Sequence, residues 1–247
     1  IMGIQEIAGM MEYDILLCIS QGDDVASLKR IIMNRKVDGV ILLRTFVNDP
    51  QVEFLIEKDI PFVAAGSSEY EKVKQVDHDH ETACKELTSI ILMRGLKNIA
   101  ILGGNESFVV NQTRLRGVRD AYEQFGIKLE PGSLFMNLES KPFIEKAVDD
   151  ALAQEAECIL CMDDAICSQA LRKLRQDHVK IPDDVRIASF YNSSVLENNI
   201  PSITSLTFDA KELGMTACKN LLSQVDGEEV PDKVLLSYEV VLKESTK

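Results

Sequence analysis

The sequence predicts an α/β fold built from two doubly wound parallel sheets, and two observations support that prediction. Short apolar segments alternate along the chain with longer segments whose apolar residues recur at helical spacing. Several apolar segments are continuous, as expected of parallel strands that helices cover on both faces. The chain has 247 residues, which exceeds one average domain. The β-α alternation over that length therefore favours two subdomains of the same kind.

The strands are predicted where short apolar runs are bounded by polar or turn-forming residues. In chain order they cover residues 13–19, 39–43, 61–65, 98–102, 133–138, 158–161, 186–190 and 235–242. The opening residues 1–10 have the pattern of a helix that leads into the strand at 13–19, with no strand before it. We therefore expect the chain to begin inside an α/β unit.

Helices are predicted between these strands, at residues 79–94, 114–125, 143–153, 164–175 and 209–225. Gly95 and Gly126 directly follow two of them, which is the usual place for a glycine that ends a helix. Asp209 and Glu212 form a capping-box-like start of the last helix. No Pro/Gly/Ser-rich linker separates two halves, so we expect several chain crossings that form a hinge.

Composition limits the possible partners of the chain. The net charge is −13, with 40 acidic and 27 basic residues, which argues against a grip on nucleic acid or an anionic membrane. No apolar run reaches the roughly 18 residues that a spanning helix needs, and no signal-peptide pattern is visible at the start. Six cysteines lie in apolar contexts, which predicts reduced core thiols and a cytoplasmic location.

No catalytic, metal or cofactor site is predicted. Cys158 and Cys161 have redox-like spacing, but a strand places residues three apart on opposite faces. His78 and His80 could be same-face ligands on an extended segment, although surface histidines beside a helix start are favoured. Gly103-Gly104 lacks the rest of a phosphate-binding motif and is predicted to be a turn. A catalytic carboxylate pair stays open, but nothing singles one out.

Three places suggest a binding site. Asp163 and Asp164 follow the strand at 158–161 and open a helix, so that one could cap the helix while the other faces a ligand. Tyr191 and Asn192 follow the strand at 186–190. Arg114 is predicted at a helix start, where the helix dipole disfavours a cation. It is interpreted either as a ligand-binding arginine or as one half of an ion pair.

A set of short motifs resembles the effector-binding region of LacI/GalR-family transcription regulators. The motifs cover nearly all the chain in the family's order: V-D-G-V-I-L at 37–42, Q-V-D-H-D at 75–79, R-L-R-G at 114–117, C-M-D-D at 161–164 with A-L at 170–171, I-P-D-D-V at 181–185, P-S-I-T-S at 201–205 and L-G at 213–214. Segments 42–45, 48–50 and 189–193 resemble maltose-operon repressors of that family.

The resemblance implies two periplasmic-binding-protein-like subdomains of type I, with the first strand of the fold missing. The first would cover residues 1–95 and 208–231, and the second 96–207 and 232–247. Sugar would bind between them. By position the resemblance assigns ligand contacts to Arg114, to Asp163 where the family has asparagine, and to Tyr191 where it commonly has aspartate. Asp79, Asn192 and Phe208 complete the expected ligand-binding set.

The function that the resemblance implies is that of a cytoplasmic sensor in a transcription repressor, not an enzyme. We expect it to bind a neutral saccharide, a disaccharide such as maltose before a monosaccharide, and to form a homodimer without membrane contact. Operator DNA would be bound only through an N-terminal domain that this chain lacks. A transport-associated sugar-binding protein of the same fold is the alternative, and an enzyme on a doubly wound fold is a third possibility.

Overall fold

The computed structural model describes residues 1–19 and 24–247. By their internal contacts these residues form two compact units. The first unit contains Ile1–His78, Ser107–Val110 and Asp209–Ser237, and the second contains Asp79–Glu106, Asn111–Phe208 and Tyr238–Lys247. The sequence expectation differs in its boundaries, because it placed residues 79–95 and 208 in the first subdomain and residues 107–110 and 232–237 in the second.

Helices and strands alternate over most of the described chain. The helices are α1 Met2–Met10, α2 Ala26–Met33, α3 Pro50–Glu57, α4 His80–Met93, α5 Val109–Gln124, α6 Lys141–Ala153, α7 Asp164–Gln176, α8 Ser194–Glu197 and α9 Ala210–Val225. The strands are β1 Val40–Leu42, β2 Phe62–Ala65, β3 Lys74–His78, β4 Ile99–Leu102, β5 Leu134–Phe135, β6 Cys158–Cys161, β7 Arg186–Ser189, β8 Thr204–Thr207, β9 Lys233–Leu236 and β10 Glu239–Val241. Within the described ranges, no helix is both long and apolar enough to cross a bilayer.

The first unit is a parallel sheet in the order β1-β2-β3-β9. Alternate residues of its strands face opposite layers of helices. Ala64 of β2 packs in a cluster with residues of α2 and α3, whereas its neighbour Val63 packs with residues of α9. Helix α1 packs against α9 through Ile4 and Ile7, in a cluster that Ile41 of β1 also contacts. Helices on both faces confirm the doubly wound architecture for this unit.

The second unit contains a sheet in the order β10-β8-β7-β6-β4-β5, parallel except for β10. One face packs against α4 and α5, and the other against α6 and α7. Cys158 belongs to the first of these layers and Cys161 to the second, so the prediction that the two thiols lie on opposite faces is confirmed. Both are fully buried and neither is in a disulfide.

The prediction of a strand at residues 13–19 is wrong. Residues 14–19 are outside any strand, and Ile15, Leu16, Leu17 and Ile19 are exposed. A strand is stabilised by hydrogen bonds to a neighbour. Among the described residues, β1 pairs with β2 alone, and no strand pairs with 14–19. These residues therefore have the composition of a strand, but they form none because no neighbouring strand pairs with them.

The strand predicted at residues 235–242 is two strands in different sheets. β9 pairs in parallel with β3 in the first unit, and β10 pairs antiparallel with β8 in the second. The chain leaves the first unit after Ser237, and this crossing divides the apolar run. The strand predicted at 133–138 is shorter in the structure, because only Leu134–Phe135 pair as β5.

Candidate ligand site at the carboxyl edge of the second sheet

Four adjacent parallel strands of the second unit end at one edge of its sheet. These strands are β8, β7, β6 and β4, and the residues that follow them are Phe208, then Tyr191 and Asn192, then Asp163, and finally Gly103-Gly104. The carboxyl ends of parallel strands are where open α/β sheets bind ligands. The fold therefore brings four of the predicted site residues together in one row.

Asp163 is fixed by the start of α7. It is the N-cap residue, and its Oδ1 accepts a hydrogen bond from the N–H of Ile166 at 2.8 Å. A Cβ placed on Gly104 would lie 3.9 Å from the other oxygen, Oδ2. One carboxylate oxygen thus caps the helix, and the second points along the edge toward β4. Asp163 is therefore the capping residue of the Asp163-Asp164 pair, and its Oδ2 is not used by the cap.

Gly103 and Gly104 allow close packing beside Asp163. A Cβ on Gly103 would lie 2.5 Å from Sδ of Met136, which leaves no space for a side chain. The two residues do not make a turn, because their carbonyl oxygens continue the pairing with the segment after β5. Asn137 donates its N–H to Gly104 at 3.0 Å, and Leu138 donates to Gly103 at 3.1 Å.

Arg114 is buried, with 7% of its surface exposed. Its Nη1 donates to the carbonyl oxygen of Met162 at 2.5 Å, directly before Asp163 in the chain. Its Nε is buried and has no hydrogen-bond partner in the structure. No carboxylate of the described residues lies within ion-pair distance of it. The ion-pair interpretation therefore has no support, and the guanidinium keeps donor capacity that a ligand could use.

The predicted position of Arg114 at a helix start is wrong. Helix α5 begins at Val109, so Arg114 lies in its second turn, where the effect of the helix dipole has decayed. What places the side chain is the packing of α5 against α4. A Cβ on Gly117 would lie 2.3 Å from the carbonyl oxygen of Glu81, so the two helices are in close contact at this turn.

Tyr191 and Phe208 form an aromatic pair at the other end of the row. Their ring centroids are 6.0 Å apart, and the rings are inclined by 21°. Tyr191 is held at its backbone by Ser189, whose Oγ donates to the Tyr191 carbonyl at 2.7 Å. Phe208 also contacts the ring of His80, with centroids 4.5 Å apart. Ser189 thus holds Tyr191 at its backbone, and His80 packs against Phe208. We call the two rings of Tyr191 and Phe208 the aromatic surface.

Asn192 carries a second buried polar atom without a partner. Its backbone N–H donates to the carbonyl of Leu206 at 2.9 Å, which fixes the residue beside β8. Its Nδ2 is 3.5 Å from a carboxylate oxygen of Glu197, while Oδ1 is buried and accepts no hydrogen bond in the structure. Buried polar atoms are normally paired, so a ligand hydroxyl is a candidate donor for this oxygen.

Asp79 has a clear local role. It is the N-cap of α4, and its Oδ1 accepts a hydrogen bond from Thr82 at 3.1 Å. It precedes His80, the residue that contacts Phe208. The structure therefore connects Asp79 to the aromatic surface through its neighbour in the chain and gives less direct support for ligand contact than it gives for Arg114 or Asp163.

The prediction that His78 and His80 are surface residues is wrong. They are only 4% and 6% exposed. Nδ1 of His78 lies 3.0 Å from the carbonyl oxygen of Ser237. Across the part of the chain that the structure describes, no group of three or more His, Cys, Asp or Glu side chains has the arrangement of a metal site. The contact of His80 with Phe208 was missed, because the two lie far apart in the sequence.

Comparison with known proteins agrees with this architecture. The periplasmic binding protein-like domain family matches residues 90–246. A Bacillus cereus subsp. cytotoxis protein described as a transcriptional regulator LacI is 26% identical over 98% of this chain and 89% of its own, with a TM-score of 0.93. The Staphylococcus xylosus catabolite control protein A is 24% identical over 99% of this chain and 76% of its own length.

Two further structures share the fold at lower identity. The transcriptional regulator CelR, solved as a cellobiose complex, is 24% identical, covers 99% of this chain and 77% of its own, and has a TM-score of 0.90. A staphylococcal protein described as a probable maltose operon transcriptional repressor is 23% identical, covers 99% and 89%, and has a TM-score of 0.89.

Fold and comparisons together define a ligand-binding domain of the periplasmic-binding-protein-like class. The chain belongs to the periplasmic binding protein-like domain family, as the effector-binding region of a LacI/GalR-type transcription regulator.

Proposed function

We propose that this chain is the ligand-sensing domain of a cytoplasmic transcription repressor and binds a small neutral saccharide at the carboxyl edge of the second sheet. The observation that carries the proposal is the buried Arg114, held on the Met162 carbonyl beside Asp163, with an Nε that has no partner. A buried, unpaired guanidinium nitrogen is costly unless a ligand supplies an acceptor.

The side chains along the edge favour sugar hydroxyls over phosphate. Asp163 accepts hydrogen bonds, Arg114 donates them, and the rings of Tyr191 and Phe208 offer flat apolar surface to the C–H side of a pyranose. A phosphate here would meet the Asp163 carboxylate, and Asp79 beyond it, with Arg114 as the balancing cation. The chemistry therefore favours an uncharged ligand.

Tyr191 favours a disaccharide. An aromatic ring adds stacking area where an aspartate would only accept hydrogen bonds. The relatives include one solved with cellobiose and one described as a probable maltose operon repressor, which supports maltose or cellobiose as first candidates. Saccharide binding would then change the population of the operator-binding state of a separate DNA-binding domain.

A thermal-shift screen tests this function. Neutral mono- and disaccharides are compared with sugar phosphates and purines on the wild-type chain. We expect a neutral disaccharide to raise the melting temperature, because a ligand that binds only the folded state stabilises it. Stabilisation by purines or sugar phosphates at this edge, with none by neutral sugars, would contradict the proposal. The same screen on the Arg114→Ala variant shows where the sugar binds. A rise in melting temperature that this variant abolishes comes from binding at the carboxyl edge of the second sheet.

The same proposal includes a homodimer. In the second unit, α6 packs on α7 and α7 on α8, and three large apolar side chains on or beside these helices are exposed. These are Phe143, Val195 and Ile200, with exposures of 60%, 62% and 87%. Val195 and Ile200 lie five positions apart in one segment, exposed apolar residues that lie together mark protein interfaces, and two-fold homodimers are the commonest assembly. We therefore place part of the dimer contact here.

Charges introduced at this surface are expected to dissociate the dimer. The double variant Val195→Glu, Ile200→Glu places two carboxylates where apolar contacts are proposed, and burying unpaired charges is strongly unfavourable. Light scattering should give the mass of a dimer for the wild-type chain and of a monomer for the variant. Met93→Glu, at the exposed end of α4, is the control and should stay dimeric. A monomeric wild-type chain at high micromolar concentration would exclude the dimer.

A further inference from the structure

A basic cavity lies in the second unit at the opposite edge of the sheet from the candidate saccharide site. Its volume is about 280 Å³, and Arg94, Leu96, Arg186, Thr246 and Lys247 line it. Arg186 is the first residue of β7, and Leu96 lies just before β4, so the cavity is at the amino ends of these strands. We call it the basic cavity.

The charge around the basic cavity is unusual for this protein. Two of its five lining residues are arginines, and none carries an acidic side chain, although acidic residues outnumber basic ones by 40 to 27 in the whole chain. Among the ion pairs of the described residues, none involves Arg94, Arg186 or Lys247. Like charges around one cavity repel each other, and an anion between them would relieve that repulsion.

An acidic group close to Arg186 is already engaged elsewhere. Glu157 influences Arg186 electrostatically, but its Oε2 accepts hydrogen bonds from the N–H groups of Lys97 and Asn98 at 2.8 and 3.0 Å. These backbone hydrogen bonds, the largest cause, lower the pKa of Glu157 below its usual value. Its carboxylate is therefore held at the backbone before β4 and does not line the basic cavity.

The wall of the basic cavity is held in place by hydrogen bonds. Arg94 donates through Nη1 to the carbonyl oxygen of Thr246. Thr246 is buried, and its Oγ1 lies 2.7 Å from Oγ1 of Thr204 in β8. The preceding residue, Ser245, donates its hydroxyl to the Ile187 carbonyl at 2.6 Å. The guanidinium of Arg94 is thus oriented by one of its nitrogens, while its other donors remain available.

We propose that the basic cavity binds a small multivalent oxyanion of the phosphate class. The planar guanidinium groups of Arg94 and Arg186 match the oxygens of a phosphate. The ligand is either inorganic phosphate or the phosphate group of a small metabolite. This site is separate from the saccharide site and does not depend on the proposed function.

Inorganic phosphate is the first probe. Melting temperature is measured on the 247-residue chain in phosphate and in sodium chloride of equal ionic strength. Phosphate also stabilises proteins generally, by exclusion from their surface. The decisive comparison is therefore between the wild-type chain and variants, because general stabilisation is the same in both. We expect an additional rise in the wild-type chain that saturates with phosphate concentration.

Arg186→Gln is expected to weaken phosphate binding roughly tenfold or more, because it removes a charge-assisted donor. Arg94→Gln should act in the same direction, and because it also removes the contact with Thr246, Arg186→Gln is the variant that decides. Lys128→Gln, an exposed cation elsewhere in the second unit, should keep the full effect.

Calorimetric titration completes the test. Saturable phosphate binding that Arg186→Gln weakens and Lys128→Gln preserves supports the site. Equal stabilisation of all variants, or no saturable binding by the wild-type chain, overturns it. The affinity for glucose 6-phosphate is then compared with the affinities for phosphate and for glucose, each titrated separately. This comparison distinguishes a phosphorylated metabolite from inorganic phosphate as the ligand. Tighter binding of the ester, still sensitive to Arg186→Gln, indicates a phosphorylated metabolite, and equal or weaker binding indicates phosphate itself.

Discussion

Replacing Arg114 by alanine is expected to remove most saccharide affinity, at a cost of about 2–4 kcal/mol, or roughly 30- to 1,000-fold in Kd. The wild-type side chain is buried, fixed on the Met162 carbonyl and not paired with a carboxylate of the described residues. We propose that its remaining donors bind ligand acceptors, which water replaces poorly in a buried site. Calorimetric titration with the sugar that gives the largest thermal shift measures the loss.

The matched control is Arg119→Ala, which removes an exposed arginine from the same helix. It should leave the affinity within about twofold, since surface substitutions away from a site have small effects. The melting temperature of Arg114→Ala without ligand is measured in parallel, so that a folded variant with unchanged affinity can be recognised. That outcome would show that Arg114 has a packing role and does not contact the ligand.

The largest expected loss of stability comes from Phe190→Ala. Phe190 is fully buried in the cluster that joins the second sheet to α4 and α5. Truncation leaves a cavity and removes apolar contacts, which costs about 3–5 kcal/mol for a buried phenylalanine. Urea unfolding followed by circular dichroism should show a lower midpoint for the variant than for the wild-type chain.

The control for Phe190→Ala is Met93→Ala, because Met93 is 65% exposed. Its midpoint should stay close to that of the wild-type chain, with a change within about 0.5 kcal/mol. The backbone N–H of Phe190 donates to the Cys161 carbonyl at 2.8 Å, and the next residue is Tyr191 of the candidate site. A Phe190→Ala variant as stable as Met93→Ala would mean that this part of the core can refill the cavity.

The parts of the fold that were predictable are those where local sequence and buried environment agree. The strand at Cys158–Cys161 was predicted with the bounds it has, because it is apolar on both faces of a covered sheet. The helix after it was predicted because two aspartates, one of them a candidate cap, precede apolar residues that recur at helical spacing, and the structure identifies Asp163 as the cap. For such elements the local sequence pattern alone is enough to predict their type and position.

Other elements depend on partners far along the chain. β3 was missed because Gln75, Asp77 and His78 are polar, yet all three are buried. Their burial is possible because other segments supply hydrogen-bond partners, as Ser67 does for Asp77 at 2.8 Å. Residues 13–19 show the opposite case, in which an apolar run forms no strand in the absence of a pairing partner. The composition of a segment does not show whether other segments supply hydrogen-bond partners or a neighbouring strand.

The candidate site was predictable in its residues but not in its geometry. Strand ends and the family resemblance pointed to Asp163, Tyr191 and Asn192, which do share one edge of a sheet. The contact of Arg114 with the Met162 carbonyl joins residues 48 positions apart, and the contact of His80 with Phe208 is also long-range. No local pattern encodes such contacts, so the sequence could place Arg114 only by analogy.

The most direct test of the central claim is a crystal structure with the neutral saccharide that stabilises the chain most. We expect a sugar ring on the aromatic surface of Tyr191 and Phe208, hydroxyl groups within hydrogen-bond distance of Asp163 Oδ2, and an acceptor at Arg114 Nε. A saccharide bound at another place in the protein, with Arg114 still without a ligand contact, would contradict the account.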